Sequence, residues 1–156
     1  MANHEWSLEQ LTAKAETYCA AAEHCIWEVR NKLQQWEATA EQIEQILTHL
    51  LQHQFIDEKR YCSAHVHDKL LYQGWGRMKI RAQLLIKHLP SAFIEQALAE
   101  MDEQTYQEVL RKIITTKKRS IKSSDPQIRE KLIRFCMQRG FTYEEIKYTK
   151  YLISFK

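Results

Sequence analysis

The residues best suited to chemistry in this chain of 156 are its cations. Arg60, Lys69, Arg77, Lys79, Arg81 and Lys87 surround a Gly74-Trp75-Gly76 segment, and Lys117, Lys118, Arg119 and Lys122 place four positive charges within six residues. Arg111 and Lys112 precede that run, and Arg134 and Arg139 follow it. Such a set attracts a polyanion, either nucleic-acid phosphates or an acidic protein surface. Arg77 and Lys79 fall in the first turn of an expected helix, where positive charge opposes the helix dipole at a cost of about 0.3 kcal/mol or more. A locally unfavourable choice of this kind marks a surface kept for a partner, although Arg81 also reads as a structural arginine of a repeat. The 117–122 run has a second reading as well, as an ordinary basic helix C-terminus.

Other chemistries find less support. Gly74-Trp75-Gly76 lacks the Gly-Lys-Ser/Thr ending and the preceding strand of a phosphate loop, so its glycines are expected to permit a tight turn between helices. His49 and His53 are spaced for one helix face, with His65 and His67 nearby. No HExxH motif or Cys/His cluster accompanies them, so the reading is surface or half-buried histidine and no metal. The carboxylates, concentrated in the first third, form no boxed pair and read as a solvated face, so neither an enzyme nor a cofactor is expected. Trp75 is expected to pack between helices of its unit, with stacking on a base or insertion into a partner pocket as the alternative. Trp27, Trp36, Phe135 and Phe141 lie on helical stripes and should pack inside.

The elements that must position these residues are helical. Three Gly and two Pro are too few turn-formers for a many-stranded sheet. Apolar residues recur at three and four: Leu11, Ala15 and Cys19; Val29 and Leu33; Ile43, Ile46, Leu47 and Leu50; Tyr61, Val66 and Leu70; Met78, Ile80, Leu84 and Leu85; Ile94, Ala97 and Leu98. A longer helix is expected from Asp102 to Ser120, then one carrying Ile128, Leu132, Phe135 and Cys136, and a last one opened by Thr142 and Glu145. Asp57 and Pro90 mark further starts. The fold class is therefore all-α, about nine helices. Val29-Arg30 with Leu33, Ile80-Arg81 with Leu84, and Ile133-Arg134 with Met137 repeat an apolar-Arg-apolar pattern, with the arginines 51 and 53 residues apart. Each is followed by an isoleucine on the next helix, Ile43, Ile94 or Ile146. This suggests three tandem three-helix units, elongated and modular, at 1–56, 57–101 and 102–156. Their net charges are −5, +2 and +6, a polarity suited to orienting on a charged surface. Cys19, Cys25, Cys62 and Cys136 form no CxxC pair and read as reduced, buried thiols. The opening Met1-Ala2-Asn3-His4-Glu5 lacks a basic segment leading into an apolar one, and no apolar run approaches membrane-spanning length, so neither secretion nor a membrane span is expected; with the reduced thiols this points to the cytoplasm, and a monomer is expected.

Phe55-Ile56-Asp57-Glu58-Lys59-Arg60-Tyr61, then Gly74-Trp75-Gly76-Arg77-Met78-Lys79-Ile80 through Leu84, resembles the two-part signature of the RecX family of bacterial recombination regulators. Phe135-Cys136-Met137-Gln138-Arg139-Gly140-Phe141 is similar to a segment near that family's C-terminus. His65 stands where an aromatic is common in the family, and the acidic first unit departs from many relatives, which weighs against DNA contact by residues 1–56. The resemblance implies a modular, non-enzymatic protein that binds the RecA filament and inhibits its ATPase, coprotease and strand-exchange activities. Read on the residues alone, an autonomous helical DNA-binding protein is the alternative, and an adaptor for some other protein a third reading.

Overall fold

The structure, a computed structural model, describes residues 5 to 149. The expected absence of a leader falls mostly on residues 1–4, and the expected end of the third unit on residues 150–156; both stretches lie outside the described residues. Nine α-helices and no strand are found among the described residues: α1 (Leu8–Ala21), α2 (Ile26–Gln35), α3 (Ala40–Gln52), α4 (Glu58–Leu71), α5 (Arg77–Ile86), α6 (Ser91–Ala99), α7 (Glu103–Arg119), α8 (Ile128–Gln138) and α9 (Tyr143–Lys147). None is long and apolar enough to cross a membrane.

Capping side chains start most of these helices. Ser7, Thr39 and Thr142 each accept a hydrogen bond from the third helical N–H, while Gln10, Gln42 and Glu145 reach back to the capping residue. Asp57 and Asp102 cap α4 and α7 through Arg60 N and Thr105 N. Each cap satisfies a donor that the helix cannot, which is worth about 1 kcal/mol.

The helices form three triplets whose register is set by burial. Val29, Leu33 and Ile43 are buried in the first, Ile80, Leu84 and Ile94 in the second, and Leu132, Cys136 and Ile146 in the third. The intervals of 4 and 14 residues from Val29, Ile80 and Leu132 are identical. An alignment on the arginines is thus one residue off in the third triplet, where Ile133 and Met137 sit beside the buried pair and Met137 is exposed. The turn between second and third helices repeats in the same register, with Glu37 at φ 63°, His88 at φ 59° and Gly140 at φ 100°.

Packing divides unevenly among the triplets. The first has its own core of Leu11, Val29, Leu33, Ile43 and Leu50, closed by Ile56 from the connection to α4. The second and third share one core, in which Tyr61, Ile80, Leu84 and Ile94 join Tyr106, Leu110, Leu132 and Phe141. Cys25, at the start of α2, belongs to that second core and ties the first triplet to it. Phe141 is 2% exposed as expected, but it lies in the turn before α9 and not on a helix. Met78 and Leu85, expected on the inner stripe of α5, are exposed, because Ile80 and Leu84 define its buried face.

Candidate interaction site

The family-like segments meet at the boundary between the second and third triplets. Gly76 N donates to Arg139 O at 2.7 Å, and Met78 N donates to Gly140 O at 3.0 Å. This is a joint of backbone against backbone. A Cβ on Gly76 would lie 2.5 Å from the Gly140 carbonyl carbon and oxygen, and one on Gly140 would lie 2.5 Å from Lys79 Cβ. Both positions require glycine for close approach, and Gly140 also for its φ of 100°. His88 stands at the matching place in the second triplet, where the contact with the first triplet runs through side chains instead. There Lys87 Nζ donates to Glu28 at 3.2 Å and to the Tyr61 hydroxyl at 3.0 Å, and Ile26 N donates to Glu58 at 3.3 Å.

Several of the cations hold these joints together. Arg77 bonds Glu145 at 2.9 Å and Glu103 at 2.7 Å, with its guanidinium 3.9 Å from the Tyr106 ring centre. The Tyr106 hydroxyl accepts from Arg77 N at 3.1 Å and donates to Glu145 at 3.2 Å. Burial opposes the Arg77 charge, but its bond to Glu103 and the nearby Tyr106 and Glu145 outweigh it and raise its pKa. The unfavourable position of Arg77 at the start of α5 is therefore compensated within the chain, and its side chain is only 24% exposed. Arg81 bonds Glu95 at 2.6 Å, repeating the contact of Arg30 with Glu44 at 2.5 Å. In the third triplet Ile133 and Lys147 occupy those places, so that surface pair is missing there. Arg60 bonds Glu23 at 2.7 Å and Gln54 O at 3.1 Å, bridging the first and second triplets.

The remaining cations face outward or cover aromatic rings. Lys69 and Lys79 stand 4.7 and 4.3 Å from the centre of the Trp75 ring, which is half-buried against the shared core. Lys117 and Arg139 stand 4.8 and 4.9 Å from the Phe135 ring, and Arg139 also bonds Gln73 O at 2.8 Å. Lys118 is half-buried, while Arg119, Lys122 and Arg134 are exposed. The structure thus brings Arg77, Lys79 and Arg139 together around the Gly76 joint, while Arg60 and Lys69 lie on α4, Arg81 on α5, Lys117, Lys118 and Arg119 at the end of α7, Lys122 just after it and Arg134 on α8.

The histidines singled out in the sequence lie in separate settings. His49 bonds Glu16 at 2.9 Å, His53 lies past the end of α3, and His65 bonds Gln83 at 2.8 Å. Among the described residues no group of three His, Cys, Asp or Glu could hold an ion. All four thiols are buried, which pushes each up to about 11 and keeps it protonated at neutral pH. Sequence reasoning missed Glu103, Tyr106 and Glu145. The capping pair of Thr142 with Glu145 was visible, but the reach of Glu145 to Arg77, 68 residues away, left no local mark.

The described residues form a tandem array of helical triplets whose last third is the most cationic. The chain belongs to the RecX family. Residues 57–98 match the second three-helix domain of RecX and residues 104–149 the third. It is 31% identical over 127 residues to the regulatory protein RecX of Vibrio parahaemolyticus, covering 81% of this chain and 80% of that one. The regulatory protein RecX of Chlorobaculum tepidum is 30% identical over 126 residues, covering 81% and 77% of the two chains. The crystal structure of RecX from Lactobacillus salivarius superposes with a TM-score of 0.78 at 20% identity over 94% of each chain, a likeness of fold.

Proposed function

We propose that this chain binds the RecA filament on DNA and restrains its ATPase, coprotease and strand-exchange activities, acting as a cytoplasmic monomer in the control of recombination, repair and the SOS response. Family membership across the second and third triplets is the observation that carries this reading. Lys69, Lys79, Lys117, Lys118, Arg119, Lys122 and Arg134 supply the contacts to DNA phosphates or to acidic RecA surface. Arg60, Arg77, Arg81 and Arg139 fix the relative placement of the helices that present them. Each triplet offers a modest surface, and simultaneous contact with neighbouring protomers multiplies their affinities. Restraint follows if one state of the filament is bound more tightly than the states through which the cycle must pass.

Fluorescence anisotropy of labelled oligothymidylate across a salt series, with and without RecA, tests the reading against autonomous DNA binding. Binding to RecA-coated DNA should exceed binding to bare DNA and depend less steeply on salt. Equal affinity for both, with a steep salt slope, would assign the chain to DNA alone.

A further inference from the structure

A groove of about 680 Å³ runs along one face of α7 from Thr105 to Ser120, between the end of α4 and α8. At 1.5 Å per residue this face is about 22 Å long. Leu71, Val109, Ile113 and Phe135 line it; the last three are half-buried against the shared core, while Leu71 is exposed. Lys112, Lys117 and Arg139 add three positive charges against the single negative charge of Glu108, and Tyr72, 76% exposed, stands at its edge.

We propose that this groove docks an acidic amphipathic segment of a partner protein, most simply a helix of about 15 residues with apolar side chains on one face and carboxylates flanking them. The lining carries both an apolar and a cationic part. Aliphatic side chains at 109 and 113 of α7, beside Leu71, match an apolar stripe recurring every three or four residues. The cations at 112, 117 and 139 match carboxylates on its flanks. A single strand of nucleic acid fits less well. Its bases need a run of open aromatic faces, and of the two rings at the groove Phe135 is already engaged by the Lys117 ammonium and the Arg139 guanidinium, which leaves Tyr72 alone at the edge. Glu108 would also repel a continuous row of phosphates, whereas a peptide can place an uncharged residue there.

The test uses the full chain and three labelled probes: a 15-residue Leu/Glu peptide with a helical apolar stripe, a scrambled peptide of the same composition, and oligothymidylate. Anisotropy at about 0.15 M salt should show the amphipathic peptide binding at least about tenfold tighter than the scramble. Ile113→Glu should abolish that preference, and so should Lys112→Glu with Lys117→Glu, a pair chosen because both residues reach solvent and whose folding is checked by thermal melting. Equal binding of the two peptides overturns the proposal. So does displacement of the peptide by oligothymidylate together with an equal loss of oligothymidylate affinity on Ile113→Glu, which would make nucleic acid the occupant. RecA is absent from the assay, so its failure leaves the reading of the chain as a RecA regulator standing, and the reverse holds as well.

Discussion

Gly76→Ala isolates the joint between the second and third triplets. Gly76 has a φ of −84°, which alanine adopts freely, so backbone strain does not enter. The added methyl would sit 2.5 Å from the Gly140 carbonyl and 2.6 Å from Phe141 N, all backbone atoms with no flexible end to turn aside. Overpacking of this kind costs about 1–3 kcal/mol. The joint must open to relieve it, which lengthens the bonds from Gly76 N to Arg139 O and from Met78 N to Gly140 O, each worth about 1 kcal/mol. The expected loss is about 3 kcal/mol, a fall in Tm of about 10 °C for a chain of this size. Gly74→Ala is the comparison: its φ of 67° carries strain of about 1 kcal/mol, but its nearest neighbour at 3.0 Å is the end of the Ile113 side chain, which can move. Urea denaturation followed by circular dichroism measures both variants. Hydrogen exchange should show weakened protection at the start of α5 in Gly76→Ala alone. If Gly76→Ala costs no more than Gly74→Ala, the joint is not held by close backbone approach.

Arg77→Ala should cost about 2 kcal/mol in the same assay, because it leaves the half-buried Glu145 without its cation beside Tyr106. Arg81→Ala, which removes a more exposed pair with Glu95, should cost about 0.5 kcal/mol. Burial lowers the pKa of His65, so the unfolded chain binds a proton before the folded one does. Its contribution to stability is full above pH 6.5 and declines as pH falls below that value, and His65→Gln should flatten this part of a stability-against-pH curve. Reversing Lys117, Lys118 and Arg119 to Glu should weaken binding to RecA-coated DNA more than reversing three charges in residues 1–56. For bare DNA the logarithmic salt slope should fall by about one for each phosphate left without its cation, read by anisotropy.

Much of the helical architecture was legible because the caps and apolar stripes are local. Asp57, Asp102 and Thr142 announce their helices within four residues, whereas the Ser7 cap of α1 was not read from the sequence, and Ile43, Ile94 and Ile146 each follow a cap by four. The register of the third triplet is easily misread because apolar residues occupy both 132 and 133 and both 136 and 137, and the arginine at 134 points to the wrong pair. What decides it is the 14-residue interval to Ile146, together with a left-handed residue four places after the second buried one. The basic residues were equally visible, but their employment was not. Arg77 and Arg81 look alike in the sequence, yet one is locked between Glu103 and Glu145 across a triplet boundary and the other is paired on its own surface. Partners 26 and 68 residues away leave no periodic trace.

Restraint of RecA is measured most directly by the single-stranded-DNA-dependent ATPase of the cognate RecA, titrated with this protein from far below one molecule per RecA. The rate should fall progressively at substoichiometric amounts, as expected of a contact whose effect spreads along a filament. An unchanged rate up to one molecule per RecA, with the protein shown to be folded, would contradict such restraint.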